Sequence, residues 1–130
     1  MAEYVLDTHA CLFALASPRK LGRRARSVLE GADRLGETVW LPAAVAAEVV
    51  ILRELGRTEL GLPVLQEAFE TTSWRFLPLD LDQVDEFAAL GTIRDPFDRL
   101  IVAATRRAGA KLISRDRALA ESGLVDVVWS

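Results

Sequence analysis

Short apolar runs alternate with helix-period segments along this chain, and that alternation limits the fold more than any other feature. Tyr4–Leu6 reads as a first strand. Helices follow over His9–Ala16 and Leu21–Ala32, broken at Ser17-Pro18, where proline removes a backbone donor. Thr38–Leu41, rich in β-formers, is a second strand. Pro42 is placed at the first position of a helix running to about Leu55, and Gly56 stops it. A helix over Pro63–Thr72 and a strand over Trp74–Leu79 come next. Asp82–Leu90 is a helix ended by Gly91, and Asp95-Pro96 opens another that reaches Arg107 before Gly109. Lys111–Ser114, Arg117–Ser122 and Asp126–Trp129 complete the series as strand, short helix and strand. Strands separated by helices predict an α/β fold with a parallel sheet covered on both faces. In such sheets, sites form beyond the carboxyl ends of the strands.

Four acidic residues stand out against this pattern. Asp7 closes the first strand, and Asp116 follows the fourth. Glu48 interrupts the apolar helix Ala43–Leu52, where Ala44, Val45, Ile51, Leu52 and Leu55 share its face at spacings of three, four and seven. That places Glu48 in the middle of an apolar stripe. Asp-Pro-Phe-Asp is a strong helix start, with Asp95 as the cap and Asp98 in the first turn. Asp98 shares a face with Ile101, Val102 and Thr105, so it points at least partly inward and is taken as a ligand. A carboxylate costs several kcal/mol to desolvate without compensation. Several converging carboxylates therefore point to a hard cation, which takes oxygen ligands.

Each acid also has a structural explanation. Asp7, Asp95 and Asp116 can cap the helices that follow them, and Glu48 can pair with an arginine from a neighbouring helix. Thr8 and Ser114 are small hydroxyls beside Asp7 and Asp116, able to orient a carboxylate or a bound water. His9, the only histidine, sits next to Asp7 and could shuttle a proton, but it is read first as a packing residue, since one histidine without partners makes no site. Trp40, Trp74 and Trp129 fall in strands and read as core or sheet edge. There is no Cys/His zinc spacing and no glycine-rich phosphate loop.

With 130 residues, half of them apolar, the chain (1–130) fits one domain with one core. The single Cys11 fits a reducing compartment. No apolar run spans a bilayer, and the segment beginning at Met1 lacks a basic leader, so the expectation is a cytoplasmic protein. The net charge of −3 does not announce a nucleic-acid binder. Arginine nevertheless outnumbers lysine fourteen to two. It clusters at Arg19–Arg26, at Arg94–Arg107, and on both sides of Asp116. Arginine suits bidentate phosphate contacts, although such runs are by default solvated helix faces.

Val-Leu-Asp-Thr-His-Ala at the start, the helical Glu48, Asp-Pro-Phe-Asp-Arg-Leu-Ile-Val-Ala-Ala-Thr and Leu-Ile-Ser-Arg-Asp occur in an order and spacing that resemble the PIN-domain family. The likeness is to the ribonuclease toxins of VapBC-type toxin–antitoxin pairs, and it spans essentially the whole chain. It implies a three-layer α/β/α fold with a central parallel sheet of about five strands. It carries the family's acidic quartet onto Asp7, Glu48, Asp98 and Asp116. It further implies Mg²⁺ or Mn²⁺ dependence, RNA as substrate, a homodimer, and inhibition by a small cognate antitoxin. Members often have tryptophan before the helical glutamate, where this chain has Ala47. Two other functions compete. An aspartyl phosphatase of the haloacid-dehalogenase kind would use Asp7 as nucleophile, but it needs an aspartate where His9 stands. A non-catalytic module that binds RNA or protein would not need all four acids.

Overall fold

The computed structural model describes residues 2–130; Met1, the first residue of the segment read for a leader, lies outside them. Five strands form one parallel sheet: β1 (Glu3–Leu6), β2 (Thr38–Pro42), β3 (Trp74–Leu77), β4 (Lys111–Ile113) and β5 (Val127–Val128). Their order is β3-β2-β1-β4-β5. Among the described residues seven helices connect them: α1 (Thr8–Ala16), α2 (Arg23–Leu35), α3 (Ala43–Glu54), α4 (Leu62–Thr71), α5 (Leu81–Ala88), α6 (Pro96–Ala108) and α7 (Arg117–Glu121). A 3-10 turn at Pro18–Lys20 joins α1 to α2. This is the expected alternating α/β architecture.

Burial accounts for the strand sequences. Val5, Leu6, Val39, Leu41, Leu112 and Ile113 are fully buried, as central parallel strands require. Val45 and Val49 of α3 and Ile101–Thr105 of α6 are buried with them. At about 25 cal/mol per Å², burying one such aliphatic side chain contributes roughly 1.5–3 kcal/mol.

Several boundaries differ from the expectations, each for a local reason. Pro42 is the last residue of β2, aligned with Leu77, and precedes α3 in an extended conformation. It was expected inside the helix, but a strand's last residue tolerates a missing N–H equally well. β3 stops at Leu77 because Pro78 cannot donate to the ladder. α5 starts one residue early because Asp80 caps it, accepting the Gln83 amide at 2.9 Å. α2 begins at Arg23 and runs on to Leu35, where Gly36 supplies the left-handed cap. β4 and β5 are shorter than expected, and Trp129 lies just past β5. Of the tryptophans, Trp74 is buried; half-buried Trp40 donates its indole N–H to Glu3 on the neighbouring strand at 2.6 Å. Among the described residues, no helix is long and apolar enough to cross a membrane.

The sheet order sets the site. The chain leaves β1 toward β2 and leaves β4 toward β5, in opposite directions across the sheet. The carboxyl ends of β1 and β4 therefore flank a topological switch point, where open α/β sheets form clefts.

Candidate active site

Asp7 and Ser114 come to lie side by side because the ladder continues past the formal strand ends. The Asp7 amide donates to the Ile113 carbonyl at 3.2 Å, and the Ser114 amide donates to Val128 at 3.3 Å. Asp7 then caps α1, accepting the Ala10 amide at 2.8 Å. Asp116 caps α7, accepting from Leu119 at 3.1 Å, while its own amide donates to the Ser114 hydroxyl at 3.1 Å. Asp95 caps α6 by accepting the Asp98 amide at 3.0 Å. The capping roles read from the sequence are thus all realised. They hold the acids in place rather than exhausting them, since a carboxylate has several acceptor sites.

Asp7, Asp98 and Asp116 line one cavity of about 290 Å³, together with His9 and Arg115. Glu48 does not line it, but its charge reaches Asp98. Burial pushes the Asp7 carboxyl above its ordinary range. The Ser114 hydroxyl, the Ala10 amide and His9 pull it partly back, and Asp116 adds to the rise. Asp98 is pushed up to about 6, by burial first and then by the charges of Asp95, Asp116, Glu48 and Asp7. Its carboxylate accepts no hydrogen bond or ion pair from the described residues.

The surroundings of Glu48 differ from the expectation. Ile51 is 39% exposed and Leu55 62% exposed, so the stripe around Glu48 is covered on one side only. Helix α3 buries Val45 and Val49 against the core, and Glu48 stands half-buried at the edge of that face. Among the described residues it forms no ion pair with an arginine. Its partner is Thr8, a buried residue whose hydroxyl donates to the Glu48 carboxylate across the α1–α3 contact. Thr8 was expected to serve Asp7, its neighbour in sequence; the fold directs it to Glu48. The Ser114 hydroxyl accepts the Asp116 backbone amide and, as a hydrogen-bond partner of Asp7, lowers the pKa of that carboxyl.

Two cavity residues were given no place in the expected site. His9 was read as packing, but it is exposed at the rim, with its ring 6.0 Å from that of Phe13. Arg115 was noted only for its charge, and it lines the cavity. Adjacency to Asp7 and Asp116 was the available signal for both.

Among the described residues, no three Asp, Glu, His or Cys side chains stand close enough together to enclose a metal ion. The donor set still fits a hard divalent cation in kind. It is entirely carboxylate oxygen, and Mg²⁺ is commonly held by one or two carboxylates plus waters and substrate phosphate. Asp98, without a partner and opposed by neighbouring negative charge, is the group a cation would relieve most.

That opposition has a measurable consequence in metal-free protein. An aspartate whose folded pKa lies near 6, above the unfolded 3.8, gives full stability below the lower value and loses it as pH rises through the upper one. Asp98→Asn should therefore match the parent chain below pH 4 and become the more stable of the two above pH 6. Because the carboxylate is partly exposed, solvent screening holds the gain to about 1 kcal/mol. Urea titrations at pH 4 and pH 7.5 in EDTA would show it; equal differences at both pH values would rule it out.

A sequence profile of the PIN domain matches residues 4–123. The chain belongs to the PIN-domain family. The fold of this PIN-family chain is similar to that of VapBC2 from Rickettsia felis, solved with a DNA fragment from its promoter. There the TM-score is 0.73 at 15% identity, over 98% of this chain and 99% of the other. It is similar also to DNA-bound VapBC from Salmonella typhimurium, at TM-score 0.68 and 15% identity over 98% and 97%. A third similar structure is FitAcB from Neisseria gonorrhoeae, at TM-score 0.64 and 20% identity over 95% of each chain. No curated protein matches the sequence.

Proposed function

We propose that this PIN-family chain is a metal-dependent ribonuclease of the VapC kind. It would be the toxin of a toxin–antitoxin pair, acting in the cytoplasm as a homodimer and inhibited by a small cognate antitoxin. The observation that carries this reading is the cavity at the β1/β4 switch point, walled by Asp7, Asp98 and Asp116, with Glu48 held by Thr8 and near enough for its charge to raise the Asp98 carboxyl. The VapBC and FitAcB neighbours support the toxin–antitoxin part of it.

The ligands of Mg²⁺ or Mn²⁺ would come from Asp7, Glu48, Asp98 and Asp116. Such an ion supplies a more nucleophilic water and neutralises charge on the phosphate. The chain's own residues do the positioning. Thr8 fixes the Glu48 carboxylate, the Ala10 amide and Ser114 orient Asp7, and the Leu119 amide holds Asp116. Arg115, at the rim, offers a cation to the phosphate of an entering strand. Asp7, Asp98 and Asp116, with the charge of Glu48 added to theirs, would otherwise oppose the phosphate being cut, which is why the chemistry is assigned to a metal-loaded site.

Purified protein incubated with total RNA should cleave it in Mg²⁺ or Mn²⁺ and stop in excess EDTA, with activity restored by adding metal back. Mapping the new ends would identify the target. Full cleavage in chelator would overturn metal dependence; intact RNA in every metal would overturn the nuclease.

A further inference from the structure

The basic block Arg19–Arg26 does not line the acidic cavity, yet the fold carries Arg24 to a cavity that shares residues with it. The Trp129 carbonyl accepts the Ala25 amide at 2.9 Å. A Cβ on Gly22 would lie 2.2 Å from that same oxygen. Only a glycine allows the start of α2 to lie so close against the strand past β5. The result is a second cavity, of about 440 Å³, lined by Arg24, Arg115, Arg117, Trp129, Ser114 and Asp116. That volume falls among ordinary ligand sites, about 300–1,000 Å³. Arg115 and Asp116 line this cavity and the acidic one alike, so the two adjoin.

The three arginines are exposed and form no ion pair among the described residues, although Asp116 lies between two of them in the chain. In a chain with more acids than bases, three free guanidiniums around one cavity mark a site for an anion. Aromatic rings stand at both cavities: Trp129 lines this one and His9 the acidic one. The Phe13 ring stands 6.0 Å from His9 and 6.3 Å from Trp129. Arg115 lies 5.0 Å and Lys20 5.6 Å from the centroid of Phe13. Cations interleaved with aromatic faces are what a single-stranded polynucleotide uses, phosphates on the former and bases on the latter. An acidic peptide would engage the arginines without requiring the rings. A duplex keeps its bases stacked within itself.

We propose that this wall is the groove that holds single-stranded RNA on one side of the cut phosphodiester. Arg24, Arg115 and Arg117 take successive phosphates, and Trp129 supports a base. The location of the cut rests on the nuclease reading above; binding to the groove does not.

The test is fluorescence anisotropy with a labelled single-stranded RNA of about 12 nucleotides, within usual site sizes, in EDTA so that binding is read without cleavage. Arg24→Ala/Arg117→Ala should weaken binding at least tenfold. It should also flatten the salt dependence by roughly 0.7 for each phosphate no longer neutralised. Trp129→Ala should weaken binding by about fivefold to a hundredfold, while Trp129→Phe keeps most of it. The same sequence as a duplex should bind more weakly. The arginine pair is exposed, so it decides the matter even if Trp129→Ala fails to fold. Parental affinity and salt slope in the arginine variant would overturn the proposal, as would preference for duplex. Loss of an acidic protein partner with RNA binding intact would reassign the groove to protein. Arginine-dependent binding without cleavage in any metal would uphold the groove and overturn the nuclease; cleavage without arginine dependence would do the reverse.

Discussion

Asp98→Asn is expected to lower RNA cleavage by about a thousandfold or more, while Asp95→Asn, three residues earlier, keeps most of it. A lost ligand forfeits several kcal/mol of charge stabilisation, and each 1.4 kcal/mol is a factor of ten. The amide has the carboxylate's shape but ligates hard cations poorly. Asp98 makes no hydrogen bond with its carboxylate, so the fold loses nothing by the change. Asp95 has a different task, accepting the Asp98 amide at 3.0 Å from an exposed position. Asparagine caps a helix as well as aspartate does. Initial rates on a defined RNA in Mn²⁺, alongside melting curves for both variants, measure the contrast. An active Asp98→Asn with a dead Asp95→Asn would exchange the two roles.

Gly22→Ala is expected to destabilise the protein by about 3 kcal/mol, the upper part of the range for overpacking, and to lower its melting temperature by about 10 °C. The added carbon would meet Trp129 backbone at 2.2 Å and 2.6 Å, a crowding that no side-chain rotation relieves. Gly22 sits at φ −60° and ψ 154°, a conformation alanine adopts freely, so the loss reports crowding alone. Gly91→Ala, where nothing lies within 4 Å, is the control and should leave the melt unchanged. The Gly22 variant should also loosen the Ala25–Trp129 hydrogen bond and with it the placement of Arg24. A melt within a degree of the parent would mean that α2 and the strand past β5 separate at little cost.

Much of the architecture was legible because its signals are local. Asp95-Pro96 starts α6 and Gly109 ends it in a left-handed conformation, all decided within a few residues. Boundaries slipped where two residue types serve equally on either side, as Pro42 does between strand and helix. Asp7, Asp98 and Asp116 were found together because strand ends and a helix start are readable positions, and a parallel sheet brings strand ends to one edge. Glu48 was placed too deep. A helical wheel shows which residues share a face but not where the neighbouring elements stop covering it, and Ile51 and Leu55 lie outside that cover.

The sequence by itself determined the alternation of strands and helices, the caps that begin and end them, and the acids at their ends. Those are choices made by backbone donors, φ preferences and periodicity over a few residues. Only the tertiary structure decided that Thr8 holds Glu48, forty residues away, rather than its neighbour Asp7. It also decided that His9 faces the cavity, and that Gly22 brings Arg24 beside Arg115 and Trp129. These pairings depend on the strand order β3-β2-β1-β4-β5 and on which helices that order presses together. Pairings between residues distant in sequence leave no local pattern from which either could be read.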